Sequence, residues 1–166
     1  MRKGILLIIL LVAFTANAQE EACNCCTEAH AEFDFWVGTW NVTANGAPAG
    51  RNVIIKVQDN CAIQENWTSA TPGYTGTSNN FYNAQTKQWE QIWIDNQGQS
   101  LHLKGNRIGN QMVLTSDVLI NQQGEKYRNR ITWTHNDDGT VRQLWEILDG
   151  DPVTSVAFNG LYTKEN

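Results

Sequence analysis

The stretch FDFWVGTWNV, from Phe33 to Val42, decides the fold of this chain. Its ten residues include two phenylalanines, two tryptophans, two valines and one glycine. Aromatic side chains of this size bury large areas and dominate the core into which they pack. Trp36 and Trp40 are four residues apart with Gly38 between them, which indicates a bend or a short helical turn. We therefore predict that this stretch plugs one end of a β-barrel and continues into its first strand.

After this stretch, turn-forming residues recur about every eight to twelve positions, a spacing typical of antiparallel barrels and sandwiches. The strands predicted after the first are Asn52 to Gln58, Cys61 to Ser69, Tyr74 to Tyr82, Gln88 to Ile94, Ser100 to Lys104, Gln111 to Leu119, Lys126 to Thr134, Thr140 to Ile147 and Val153 to Tyr162. No long segment has the hydrophobic period of an amphipathic helix, so we expect neither crossover helices nor a parallel sheet. The sequence predicts an all-β fold, a single antiparallel up-and-down barrel of about ten strands, because closure removes exposed sheet edges.

The first eighteen residues have the pattern of a secretory signal peptide. Arg2 and Lys3 precede the apolar run from Ile5 to Phe14, and Ala16-Asn17-Ala18 fits the small-x-small cleavage pattern. The apolar run is too short to span a membrane comfortably. We expect an exported protein, either periplasmic or secreted, that begins at Gln19 after cleavage.

Composition restricts the class of partner. The whole chain carries 12 basic and 17 acidic residues, a net charge of −5. It contains no basic stripe, so a nucleic-acid partner has no electrostatic support. No amphipathic or apolar segment after the signal argues for membrane insertion. The length favours one domain, which we divide into a cysteine-containing arm, residues 19–32, and a β-barrel, residues 33–166.

The four cysteines are Cys23, Cys25, Cys26 and Cys61. An even number of cysteines in an exported chain favours disulfides. We expect one bridge from the Cys23–Cys26 cluster to Cys61, which would join the N-terminal arm to a strand. A metal or redox site that includes His30 is the alternative, although this crowded spacing does not match a structural zinc site.

One sequence pattern is more specific than composition. An acidic or amide residue lies two positions before a tryptophan three times, at Glu65-x-Trp67, Gln91-x-Trp93 and Gln143-x-Trp145. Residues two apart in a strand share a face. If that face is the interior, the barrel contains a cavity with indole walls and a few hydrogen-bonding groups, which is typical of a small-molecule site. Alternatively, the tryptophans fill a solid core and the polar residues accept their N–H groups.

Other residues extend this candidate site. Ser78, Asn80 and Tyr82 share one face of their predicted strand, and Arg130 or Arg142 would add a positive charge if either pointed inward. The predicted ligand-binding residues are Trp40, Glu65, Trp67, Ser78, Asn80, Tyr82, Gln91, Trp93, Arg130, Gln143 and Trp145.

Glu65 is the candidate for chemistry. Between a tryptophan and apolar neighbours its carboxylate would lose solvation, which would raise its pKa unless an arginine pairs with it. No second carboxylate at matched spacing supports a two-carboxylate mechanism. No GxSxG, HExxH or P-loop pattern appears, and the three histidines have the sequence context of surface residues, so no cofactor is predicted.

Eight motifs together resemble a family of exported bacterial proteins with lipocalin-like, calycin-type β-barrels. They are FDFWVGTWNV, CAIQENW from Cys61, GTSNNFY from Gly76, WEQIWID from Trp89, MVL from Met112, NRITWT from Asn129, GTVRQLWE from Gly139 and FNGLY from Phe158. The resemblance implies the barrel fold but no established activity. A related kind of small barrel binds haem through a histidine near its final strand, and Val153 to Tyr162 contains no histidine, which argues against haem.

The sequence thus leaves three functional hypotheses. The leading one is a barrel that binds a small aromatic or apolar molecule. The second is an enzyme that uses Glu65 as an acid or base and Arg130 to orient an anionic substrate. The third is a structural or interaction module with a solid interior. Oligomeric state does not follow from the sequence.

Overall fold

The structure, a computed structural model, describes residues 23–165. The predicted signal peptide, its cleavage site and residues 19–22 of the arm therefore lie outside the described residues. The described chain begins with a four-residue helix, α1, Glu28–Ala31, and a 3₁₀ turn, Asp34–Trp36. Its strands are β1 Gly38–Ala44, β2 Ala47–Val57, β3 Ala62–Ser69, β4 Thr75–Asn83, β5 Gln88–Asp95, β6 Ser100–Ile108, β7 Gln111–Thr115, β8 Leu119–Ile120, β9 Lys126–His135, β10 Val141–Leu148 and β11 Val153–Lys164.

Ten of these strands form one closed antiparallel barrel. Strands β1 to β7 pair in sequence order, β7 pairs with β9, and β9, β10 and β11 continue the order until β11 pairs with β1. The short β8 is an additional strand that pairs with β9 only. The predicted all-β, ten-stranded up-and-down barrel is thereby confirmed. The one strand predicted from Gln111 to Leu119 is divided at Ser116, whose hydroxyl accepts the Asn129 N–H and donates to the Asp117 carbonyl.

The predicted plug closes one end of the barrel. Phe33 lies just before the 3₁₀ turn and Trp36 ends it. Both side chains are fully buried, and their rings stack with centroids 5.0 Å apart. The edges of Trp89 and Trp133 meet Phe33 at centroid distances of 5.7 and 5.2 Å. We call this the closed end. Aromatic clusters of this kind dominate packing energies.

One disulfide joins the N-terminal arm to the barrel at the closed end, and a second lies within the arm. Cys25 is bonded to Cys61, which precedes β3, so the predicted bridge from the cysteine cluster to Cys61 is confirmed. Cys23 and Cys26 form the second bridge within the arm. The arm also caps a core residue, since Trp89 Nε1 donates to the Ala29 carbonyl at 3.1 Å.

Alternation along the strands decides what faces the interior. On β2, Asn52 and Ile54 are buried, whereas Ile55 is 44% exposed on the outer face. The register then aligns Ile54 with Glu65 on β3, and Glu65 with Ser78 on β4. Cross-strand neighbours on one face lie about 5 Å apart, so this register gathers polar side chains inside the barrel. In the described part of the chain, no helix is both long and apolar enough to cross a membrane.

Candidate functional site

A cavity of about 360 Å³ occupies the barrel at the end opposite the plug. It reaches solvent, because its lining includes the exposed residues Thr71 and Ala157 near the strand ends. We call this the open end. The lining residues are Ala49, Glu65, Trp67, Ser69, Thr71, Tyr74, Gln91, Trp93, Leu101, Ile131, Gln143, Trp145, Ala157, Phe158 and Tyr162.

The walls of the cavity are aromatic. Trp67 and Phe158 meet edge to face with centroids 6.4 Å apart. The indole N–H of Trp145 donates to Asn129 Oδ1 at 2.8 Å, which holds that ring in place. Trp67 lies on β3, Trp145 on β10 and Phe158 on β11. All three side chains project into the same space because each occupies an inward-facing position of its strand.

Glycines on neighbouring strands make room for two of these rings. A Cβ atom built at Gly50 would lie 2.6 Å from the outer ring carbons of Trp67, and one at Gly76 would overlap the six-membered ring of Trp93. The indoles therefore lie directly against the backbone of β2 and β4. Any larger residue at these two positions would push a wall of the cavity inward, which explains glycine within a strand.

A hydrogen-bonded network surrounds Glu65 at the base of the cavity. Its carboxylate accepts from Asn52 Nδ2 and from Ser78 Oγ, each at 2.6 Å. Asn80 Nδ2 donates to Ser78 Oγ at 3.0 Å, and Gln91 Nε2 donates to Asn80 Oδ1 at 2.7 Å. Buried polar groups of this kind are stable only when they are paired. The Asn80–Ser78 pairing lies within β4, and the other three pairings join neighbouring strands.

A second branch of the network extends across the barrel to the last strands. The Tyr162 hydroxyl donates to Gln143 Oε1 and lies 3.5 Å from Asn52 Nδ2. Glu65, Gln91 and Gln143 thus belong to one connected set of polar side chains beneath the indole walls. None of the three serves as the acceptor for a tryptophan N–H among the described residues, contrary to the solid-core interpretation.

Burial changes the acid–base properties of this network. Glu65 is only 5% exposed, and the loss of hydration raises its pKa to about 7, although the hydrogen bonds from Ser78 and Asn52 partly oppose the shift. Burial, together with the negative charge of Glu65, raises the pKa of Tyr162 well above its ordinary value. Near neutral pH the carboxyl group is therefore present in both its protonated and its ionised form, while the phenol stays neutral.

The three Glx-x-Trp pairs, in which Glx is glutamate or glutamine two positions before a tryptophan, all face the cavity. The structure therefore brings together the six residues that this sequence pattern identified. Ser78 and Asn80 lie in the network but do not line the cavity. Trp40 and Tyr82 lie elsewhere: Trp40 is buried and donates to the Trp36 carbonyl, and Tyr82 packs on Trp89 near the closed end.

Arg130 does not join the site. It alternates on β9 with Asn129 and Ile131, which face inward, so its side chain lies on the outer face and pairs with Glu146 at 3.0 Å. Arg142 is exposed and donates to Asn159 Oδ1 at 2.9 Å. Neither guanidinium pairs with Glu65, so neither opposes the rise in pKa that burial of this carboxyl group causes.

Asn52, Tyr162 and Phe158 belong to the site although the sequence pattern did not identify them. The sequence did not show that Asn52 points inward, because both faces of its strand carry apolar residues. A signal for the other two exists in FNGLY, where Phe158, Gly160 and Tyr162 occupy alternate positions and share a face. A polar group in one strand and its partner 110 residues later give no local signal of their pairing.

Within residues 23–165, no three histidine, cysteine, aspartate or glutamate side chains are grouped as metal ligands. Searches of protein-family models and of curated proteins found no match to this chain.

Proposed function

We propose that this protein binds a small, partly aromatic or apolar molecule in the cavity at the open end of its barrel. The observation that supports this function is the convergence of Trp67, Trp93 and Trp145 on one cavity of about 360 Å³ above a polar base. Ligand pockets typically have this size and this combination of aromatic walls with a few placed polar groups.

A solid-core module has less support than a binding barrel. Protein interiors are close-packed and contain few voids larger than a water molecule. The closed end follows that rule, since Phe33, Trp36 and Trp133 are completely buried. The open end departs from it, because three indoles remain partly exposed around a space that no described side chain fills.

Intrinsic tryptophan fluorescence provides the test, because the wall residues are themselves the reporters. The mature protein is titrated with a diverse panel of small aromatic and apolar compounds, with calorimetry for any compound that quenches non-specifically. We expect a saturable change that is weakened at least tenfold in Trp93→Phe and in Gln91→Leu.

Ile92→Ala is the matched control for these variants. Ile92 lies between the two test residues on β5 but points outward and is 41% exposed. Its replacement should leave binding unchanged. If no compound in the panel binds, or if the control weakens binding as much as the two cavity variants, the proposed site is wrong.

Acid–base catalysis in the same cavity is the second candidate function. It is favoured by Glu65, whose pKa near 7 lies where a proton donor or acceptor works best. Arg130 does not orient an anionic substrate in this cavity, since that side chain pairs with Glu146 on the outer face. A compound that binds and is then converted, with a rate that depends on an ionisation near pH 7 and is lost in Glu65→Gln, would establish this function. Recovery of every bound compound unchanged would contradict it.

We further propose that the protein acts outside the cytoplasm, in the periplasm or the medium. Its two disulfides are typical of oxidising compartments, and its first eighteen residues have the pattern of a signal peptide. N-terminal sequencing of the protein from fractionated cells should find Gln19 as the first residue. Intact Met1 in a cytoplasmic fraction would contradict this location.

A further inference from the structure

We infer that the ligand of this cavity is an organic cation, an amine or quaternary ammonium group carried on an aromatic or short apolar body, with its charged nitrogen beside Glu65. This inference rests on the proposed binding function and specifies the class of compound that the site selects.

The first argument is the sign of the charge in the cavity. Among the described residues, three ionisable side chains line it, the carboxyl of Glu65 and the phenols of Tyr74 and Tyr162, and this lining includes no lysine, arginine or histidine. Asp95 adds a second carboxylate near the mouth, where it accepts from the Tyr74 hydroxyl at 3.2 Å. An anionic ligand would therefore enter a confined space that contains negative charge and no positive partner.

The second argument is the chemistry of the walls. The faces of aromatic rings attract cations, and tryptophan is the strongest of the three aromatic residue types in this respect. Three tryptophans and Phe158 surround the space above Glu65. A cage of aromatic rings combined with one carboxylate is the arrangement that suits an alkylated ammonium group, since its methyl groups are apolar while its charge is delocalised over them.

The third argument is that Glu65 has capacity for a ligand. A carboxylate has about four lone-pair positions. Asn52 and Ser78 each occupy one, and both approach from neighbouring strands. The carboxylate is held in a fixed orientation by these donors, but no cation among the described residues neutralises it. A ligand cation would supply the charge that the protein itself does not.

The environment of Glu65 also predicts how binding depends on pH. Asn52 from β2 and Ser78 from β4 contact it directly. Its network continues through Asn80 to Gln91 on β5, and through Asn52 to Tyr162 on β11 and Gln143 on β10. Only Tyr162 among them titrates, and its pKa lies well above the ordinary value, so Glu65 alone changes charge between pH 5 and 8. A permanent cation needs the ionised carboxylate, and its affinity should fall by up to roughly 100-fold from pH 8 to pH 5.

A pair of probes that share one shape tests the inference. Phenyltrimethylammonium and tert-butylbenzene differ in the replacement of a positively charged nitrogen by carbon, and benzoate serves as the anionic probe. Each is titrated into the mature protein at pH 8 and at pH 5, by tryptophan fluorescence and by calorimetry. We expect the cation to bind at least tenfold more tightly than the hydrocarbon at pH 8, and to lose that advantage at pH 5 and in Glu65→Gln.

The outcomes separate this inference from the proposed function. Equal or tighter binding of tert-butylbenzene or benzoate at pH 8 overturns the cation assignment and leaves a binding barrel. Failure of all three probes to bind overturns the cation assignment and counts against the cavity as a binding site. If Glu65→Gln does not fold, the pH dependence of the wild-type protein decides, because tert-butylbenzene carries no charge and its affinity should not follow Glu65.

Discussion

The two ends of this barrel use the same residue type for opposite purposes. At the closed end, Trp36 and Trp133 are completely buried, and their indole N–H groups have no hydrogen-bond partner among the described residues. At the open end, Trp67, Trp93 and Trp145 remain partly exposed around a cavity. The difference comes from what lies above each set of rings. A 3₁₀ turn inserts Phe33 and Trp36 at one end, and no described segment does so at the other.

The polar side chains follow the same division. The network around Glu65 lies between the aromatic plug and the cavity, so it separates a closely packed half of the barrel from an open half. A buried polar atom without a partner is costly, and among the described residues Asn52 Oδ1 is the buried atom of this network that has none. Stability should therefore depend mainly on the closed end, and ligand binding mainly on the open end.

The largest expected loss of stability comes from removing a side chain of the aromatic plug. Trp36→Ala removes a completely buried indole, and Trp→Ala changes in cores cost about 3–5 kcal/mol. Trp93→Ala at the open end should cost about 1–2 kcal/mol, because that ring is already partly solvated. Chemical denaturation of both variants measures the difference in the free energy of unfolding. Equal losses would show that the two ends do not differ in packing.

The two disulfides should contribute unequally to the free energy of unfolding. Cys25–Cys61 links residues 36 apart, whereas Cys23–Cys26 links residues 3 apart. From the entropy of loop closure, removing the first with paired serines should cost about 4 kcal/mol, and removing the second about 2 kcal/mol. Thermal unfolding of the two double variants tests this order. A greater loss from the short bridge would mean that the arm stabilises the closed end by itself.

Glu65 gives the stability a specific pH dependence. Its pKa is raised in the folded protein from 4.5 to about 7, so its contribution is favourable below pH 4.5 and is lost as the pH rises through 7. Relative to Glu65→Gln, the wild-type protein should lose up to about 3 kcal/mol between pH 4.5 and 8. Denaturation of both proteins across this range isolates the contribution of this one carboxyl group. A constant difference would show that Glu65 is not desolvated.

A substitution at Gly76 should have a modest effect on stability and a distinct effect on the cavity. Gly76→Ala places a methyl group where the Trp93 ring now lies, and such overpacking costs about 1–3 kcal/mol. The displaced ring should narrow the cavity and weaken the binding of any aromatic ligand at least tenfold.

Asn79→Ala, at an exposed outward position of the same strand, is the control and should change neither property. Unaltered ligand affinity in Gly76→Ala would mean that Trp93 does not form a wall of the occupied site.

The sequence by itself determined the architecture and part of the site. Recurrent turns and the lack of helical periodicity predicted the all-β barrel, the aromatic stretch at Phe33 predicted the plug, and the shared face of each Glx-x-Trp pair predicted that its two members act together. These features are local, because they depend on the period of a strand and on residues close together in the chain.

Only the tertiary structure decided which face of each strand is interior and what meets across the barrel. Alternation defines two faces without saying which is buried, and β5 carries apolar residues on both, so its sequence left Gln91 undecided. The alternation along β9 and β11 likewise does not say that Arg130 points outward and Tyr162 inward. The partners of Glu65 come from strands throughout the chain, and their approach depends on register and closure, which no short stretch of sequence contains.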